Sequence, residues 1–153
     1  MTLFDKLTGT RRPDSHVVPG PPEEVREALL ALNHTDALYR VRNALPTEKA
    51  DLVAECRIPK VGVVLKTQMR LVPKKSQVRF LDERWENRSA SNADGQYGRG
   101  HAPAVYRQWE VRQGPDGCQR RVEVFRFDTR QMTDPLRDAV LGAGWTWRGV
   151  FRL

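Results

Sequence analysis

Two spacings of apolar residues alternate along this chain. Near the start, Leu3, Phe4 and Leu7 share one side of a short helical segment over 2–8, with Thr2 placed to cap it, Asp5 three residues on and Gly9 to end it. A free amphipathic turn this short is marginal in water, so these three side chains are expected to dock on this domain or on a partner. After a polar stretch rich in Pro and Gly, Pro21-Pro22 opens a second helix. Glu23 and Glu24 favour its positive end, and Val25, Ala28, Leu29 and Leu32 form one face. From residue 37 the period shortens to two, which predicts strands over 37–42, 51–58, 61–72, 77–86, 104–113 and 120–128. Val72-Pro73-Lys74-Lys75-Ser76 reads as a turn, and Gly114-Pro115-Asp116-Gly117 as a hairpin. A further helix is expected with Thr133 as its cap, Pro135 in its first turn and Gly144 at its end. A closing strand over 145–153 follows, with Trp145, Trp147, Phe151 and Leu153 alternating with polar positions.

That order predicts an α+β fold: a curved antiparallel sheet or partly closed barrel of about six to seven strands, with an N-terminal and a C-terminal helix. Residues 1–20 read as a segment and tether and 21–153 as one domain, a length sufficient for a single core. The rings of Tyr39, Trp85, Tyr106 and Trp109 are expected to join the C-terminal tryptophans in that core.

Charge changes this picture at one place. The formal net charge is +7, from 26 Lys and Arg against 19 Asp and Glu. The window from Cys56 to Leu81 holds seven cations (Arg57, Lys60, Lys66, Arg70, Lys74, Lys75 and Arg79) and no carboxylate, which equals the whole excess. If 61–72 is a strand, Val61, Val63, Leu65, Met69 and Leu71 face the core while Lys66, Gln68 and Arg70 face away. On the returning strand Val78 and Phe80 turn inward, and Gln77 and Arg79 outward. Lys66, Arg70, Lys74, Lys75 and Arg79 are therefore the candidate anion- or partner-binding residues. Neighbouring carboxylates such as Glu55, Glu83 and Glu110 could neutralise them, and few aromatic residues stand among them to stack bases.

The segment over 87–102 reads as a long loop. Its Tyr97, Arg99 and His101 stand among glycines that could let the backbone approach an anion, yet it is neither GxGxxG nor a P-loop. Catalytic and metal signatures are missing: there is no HExxH, no GxSxG and no zinc-like spacing of the three histidines. No catalytic residue, metal or cofactor is expected. Cys56 and Cys118 stand far apart without a CxxC, and no stretch approaches the 18 apolar residues of a membrane span. With no secretory pattern at Met1-Thr2-Leu3-Phe4, a cytoplasmic protein is expected.

Three stretches carry a resemblance: Met1 to Leu7, the helix from Glu24 to Leu32, and the C-terminal run. That run includes Phe127-Asp128-Thr129-Arg130, Asp134-Pro135-Leu136 and Ala143-Gly144-Trp145-Thr146-Trp147-Arg148-Gly149-Val150. In these the chain resembles a family of small Streptomyces-like proteins of high-GC actinobacteria with no assigned activity, and the likeness is loose across 57–118. It implies a bacterial cytoplasmic origin and supplies no catalytic residue. The sequence favours a non-enzymatic binding or accessory module whose basic hairpin engages an acidic protein or an anionic headgroup. A nucleic-acid-associated protein contacting phosphates is the alternative, and a small-ligand or enzymatic barrel with a pocket under the 87–102 loop is the third reading.

Overall fold

The computed structural model describes residues 2–34, 36–58, 62–86, 96–100 and 102–153, and the side chains of these except at 96 and 97. The expectations at Lys60, Val61 and His101, and over most of the 87–102 loop, lie outside the described residues.

The helices are α1 (Leu3–Thr8), α2 (Pro22–Leu30) and α3 (Arg130–Gly142), and the strands are β1 (Tyr39–Asn43), β2 (Leu52–Ile58), β3 (Val63–Val72), β4 (Gln77–Glu86), β5 (Gln96–Arg99), β6 (Val105–Gln113), β7 (Gln119–Asp128) and β8 (Thr146–Gly149). The fold is α+β. Six strands form one mostly antiparallel sheet in the order β1-β2-β3-β4-β5, and β6 and β7 form a separate hairpin. The far edge of β4 is shared: residues 83–86 pair with β5, and residues 77–80 pair in parallel with β8. Among the described residues the sheet does not close into a barrel, because β6 and β7 pair only with each other.

One face of the sheet is covered. Val25 and Leu29 of α2, and Met132, Leu136 and Val140 of α3, are buried against Val41, Leu52, Cys56, Leu65, Met69 and Val78. The Phe80 and Trp147 rings stack within this layer, 4.1 Å between centroids and 11° from parallel. Alternation explains the choice of face: Val63, Leu65, Thr67 and Met69 are buried and Val64, Lys66 and Gln68 only partly so. Thr67 breaks the apolar run yet fits, since its hydroxyl donates to Asp82 Oδ1 at 2.7 Å.

Several expectations need correction. α3 begins three residues ahead of Thr133: Asp128 Oδ1 accepts from Arg130 N–H at 3.0 Å, and the extra turn carries Met132 into the core. The closing strand stops at Gly149, and Phe151 is exposed rather than inward-facing. A strand, β5, lies inside the segment read as a loop. Of the four rings expected in the core, Tyr39 is buried and Tyr106 partly so, donating its hydroxyl to Glu86 Oε1 at 2.9 Å. Trp85 and Trp109 are exposed, each under a cation, Lys66 at 5.6 Å and Arg121 at 5.1 Å from the ring centroid. Gln77, although on the outward parity, is buried.

α1 departs furthest from its reading. Its capping box forms, with Asp5 N–H donating to Thr2 Oγ1 at 3.1 Å and Gly9 closing the helix at φ +74°. However, it docks through its polar side. Asp5 and Thr8 are buried, whereas Leu3, Phe4 and Leu7 point outward and stay out of the core, Phe4 meeting the likewise exposed Phe151 edge-to-face. A chain of polar contacts holds that orientation: Arg12 Nη1 donates to Asp5 Oδ2 at 2.8 Å, Thr8 and Thr10 share a hydroxyl bond of 2.8 Å, and Gly149 N–H donates to Thr10 Oγ1 at 3.0 Å. The segment beyond lies along the domain, Arg11 bridging Trp147 and Gly20 accepting from Trp145 Nε1 at 2.8 Å.

Candidate functional site

The sheet face turned away from the helices carries two rows of charge that run across the strands. In the first, register places Arg40 of β1 opposite Glu55 of β2, Glu55 opposite Lys66 of β3, Lys66 opposite Glu83 of β4, and Glu83 opposite Arg99 of β5. The signs alternate across five strands, an arrangement in which directly opposed side chains attract. Glu48, from the connection between β1 and β2, reinforces it. Its carboxylate accepts from both arms of Arg42 at 2.7 and 3.1 Å and from Leu45 N–H at 2.8 Å, and Lys66 Nζ lies 3.7 Å away. The Arg42 guanidinium holds the Glu48 carboxyl down at about 2. Arg57 and Arg42 both reach Glu55, at 3.0 and 3.6 Å.

The second row has one sign only. Arg70 of β3 stands opposite Arg79 of β4, and Arg79 stands opposite Arg148 of β8. At 4.7–4.9 Å between strands, the three positions span roughly 10 Å. Among the described residues no carboxylate lies within ion-pair range of any of them. Asp51, which just precedes β2, is the carboxylate nearest in line to Arg70, and it turns Oδ2 to Leu71 N–H at 2.8 Å instead. Gln77, with its amide oxygen toward the guanidinium, accepts from Arg79 Nε and Nη2 at 3.1 and 3.2 Å, which orients that side chain without neutralising it. Lys74 and Lys75 are exposed in the 3-10 turn Pro73–Lys75 that joins β3 to β4 at this end of the sheet.

The five hairpin cations therefore divide. Lys66 belongs to the alternating row, paired with Glu48 and laid over Trp85, while Arg70, Lys74, Lys75 and Arg79 stay at the unbalanced end. There Arg148, absent from the sequence-based candidates, joins them. Its outward parity is legible in the C-terminal alternation, but its place beside Arg79 depends on a parallel pairing that no local pattern announces. Of the loop candidates, Arg99 lies on this same face, where it borders an open groove of about 410 Å³ with Lys66, Glu83, Trp85 and Arg152. Tyr97 lies on β5 opposite Trp85. The space under β4 and β5 on the other face, lined by Leu65, Thr67, Asp82, Gly98, Gly100 and Met132, is only about 40 Å³. That is room for a few waters and an order of magnitude below a small-molecule pocket.

The β6–β7 hairpin has opposed arginines too: Arg112 and Arg120 face each other and reach Glu110 and Asp116 at 3.4 and 3.3 Å, while Arg107 and Arg126 face each other without an ion pair among the described residues. Cys118 is an exposed thiol, and burial pushes the Cys56 thiol up to about 11, away from reactivity. Among the described residues no group of His, Cys, Asp and Glu is arranged to hold a metal, and no helix is long and apolar enough to cross a membrane.

The alternating row has a testable consequence in acid. A Glu48 carboxyl lowered from 4.5 to about 2 in the fold contributes stability that is present above pH 4.5 and is lost as pH falls toward 2. Asp128, lowered from 3.8 to about 2 by Arg130, adds stability that is present above pH 3.8 and lost toward pH 2. Glu48→Gln should reduce stability at pH 7 by on the order of 1–2 kcal/mol after solvent screening, and should flatten the acid limb of a urea-melt pH series. An unchanged acid limb would mean that the Arg42–Glu48 contact contributes nothing.

No family model, curated protein or solved structure matches this chain.

Proposed function

We propose that this chain is a non-enzymatic binding module that takes an acidic protein surface against the outer face of its sheet. Arg70, Arg79 and Arg148 form the contact, and Lys74 and Lys75 extend it. The contrast between the two rows carries the reading. On one sheet face every cation in the row from Arg40 to Arg99 stands opposite a carboxylate, yet three arginines stand side by side at its other end. Directly opposed like charges cost roughly 0.2–1 kcal/mol per pair, a cost that an anionic partner would relieve. Planar guanidinium groups at strand spacing suit carboxylates, which they can grip with two parallel hydrogen bonds. The exposed Trp85 lies in the alternating row beneath Lys66 rather than among these arginines, which favours a carboxylate partner over stacked bases.

Arg70→Glu with Arg148→Glu tests this. The pair leaves Arg79 between two carboxylates, so the fold should be kept and its melting temperature should hold or rise. Binding to a fluorescent poly-L-glutamate probe, followed by anisotropy, should weaken by at least about tenfold, from two lost contacts of about 1 kcal/mol each with added repulsion. Unchanged binding by the variant, or no binding by the wild-type chain, would refute the proposal. Tighter binding to a single-stranded oligonucleotide, with the steep power-law salt dependence of phosphate contacts, would replace the acidic protein with a nucleic acid.

A further inference from the structure

We propose a second contact surface, independent of the arginine row: the edge formed by α1 and the chain after β8 rests on an anionic membrane surface. The helix is oriented for it. Leu3, Phe4 and Leu7 are 74%, 54% and 63% exposed, while Asp5 and Thr8 of the same helix are 7% and 2% exposed. Phe151, 56% exposed, meets Phe4 edge-to-face at 6.3 Å and extends the apolar ridge. Nothing in this arrangement is frayed. The capping box, the Arg12–Asp5 ion pair and the Thr8–Thr10–Gly149 hydrogen bonds fix the helix with its apolar side out.

Three features select the occupant. Residues 2–13 and 150–153, which carry this edge, contain Lys6, Arg11, Arg12 and Arg152 against the single carboxylate Asp5, so the segments bearing the apolar ridge have a net positive charge. Such a pairing of apolar face and basic flank fits the boundary between headgroups and acyl chains of an anionic leaflet. The side chains of the ridge also stand more than half exposed, and a fluid bilayer needs no matching groove to take them. A second copy of the chain would need about 800 Å² per partner for a stable interface, and four side chains exposing on the order of 100 Å² each offer about half of that. A single short helix gives weak, reversible attachment, as one marginal anchor does.

Flotation of the full chain with phosphatidylcholine vesicles, with and without phosphatidylglycerol, tests the surface. The wild-type chain should float with the mixed vesicles and bind at least about tenfold more weakly to phosphatidylcholine alone, since the positive charge is then unused. Leu3→Ser/Phe4→Ser/Leu7→Ser should lose about tenfold or more on the mixed vesicles while melting as the wild type does, because these side chains leave no core contact. Lys6→Glu/Arg152→Glu should lose affinity for the mixed vesicles only. Poly-L-glutamate binding by the triple-serine variant should be intact, so failure of this proposal and failure of the arginine-row reading are told apart. Wild-type binding by the triple-serine variant, or no flotation of the wild-type chain, overturns the proposal. A concentration-dependent dimer in sedimentation that the triple-serine variant abolishes overturns it in favour of a second copy.

Discussion

Trp147→Ala is expected to lower the unfolding free energy by about 3–5 kcal/mol, the range for deleting a fully buried large ring. In a chain of 153 residues this corresponds to a melting temperature lower by roughly 10–15 °C. The magnitude follows from what the ring touches. Trp147 is buried, stacks on Phe80 and stands opposite Val78, so its removal empties space between β4 and the covering helices. Its backbone also bonds Arg11 in both directions, at 2.8 and 2.9 Å, which ties the segment after α1 to the sheet. Trp147→Phe keeps a ring over Phe80 and should recover about half of the loss. The functional consequence is specific, because β8 holds Arg148 in register with Arg79. With β8 loosened, poly-L-glutamate binding should fall even under conditions where most of the chain remains folded. A Trp147→Ala chain that melted within about 2 °C of wild type would place less than 1 kcal/mol on this stack and remove β8 from the core.

The strands that build the candidate site were legible where period-two alternation ran long. Val63 to Val72 and Gln77 to Glu86 alternate over ten residues each and share a turn with Pro73 at its first position, so the sequence alone places Lys66, Arg70 and Arg79 on one face. What the alternation does not encode is which cation meets which carboxylate. Lys66 is neutralised by Glu48, a residue in an irregular connection, and Asp51 is withheld from Arg70 by a backbone amide. Both outcomes depend on loop geometry. β5 escapes notice because four residues, one of them a glycine, carry no periodic signal, and they are strand only because β4 offers an unpaired edge. β8 was legible as a strand, but its parallel pairing to β4 joins segments separated by most of the second half of the chain, and that pairing brings Arg148 into the row.

In α1 the amphipathic pattern is present in the sequence, but the side that docks is the opposite of the one the pattern implies. Amphipathic spacing predicts that Leu3, Phe4 and Leu7 turn toward the domain. The polar side wins instead because it is fully satisfied there: Asp5 by Arg12 and its capping box, Thr8 by Phe4 carbonyl and Thr10. Buried polar groups that all find partners cost little, so the helix can dock through them and leave its apolar ridge available.

Gly149→Ala is expected to lift α1 from the sheet. A Cβ at this position would stand 1.8 Å from the Thr8 carbonyl oxygen, 2.7 Å from its carbonyl carbon and 2.9 Å from its Cβ. Two of these are backbone atoms held by the helix, so no side-chain rotation relieves the clash, and the docked state should lose about 3 kcal/mol, the upper end for overpacking. The sheet does not share this loss equally. Trp147 and Phe80 keep their stack, and the Val150 amide bond to the Phe80 carbonyl, 3.0 Å, lies on the other side of the strand. The loss should therefore fall on residues 2–12: their amides should exchange with solvent about a hundredfold faster, as 3 kcal/mol implies if they open locally, while amides of β3 and β4 keep their rates. Gly149→Ser should behave alike, whereas Gly142→Ala, where an added Cβ meets nothing, should be neutral or slightly stabilising within α3. Because the ridge of Leu3, Phe4 and Leu7 would then no longer be held beside Phe151, vesicle binding should weaken together with the loss of protection. Exchange in residues 2–12 unchanged by Gly149→Ala would mean that Thr8 does not rest on Gly149, and the outward orientation of α1 would lose its structural cause.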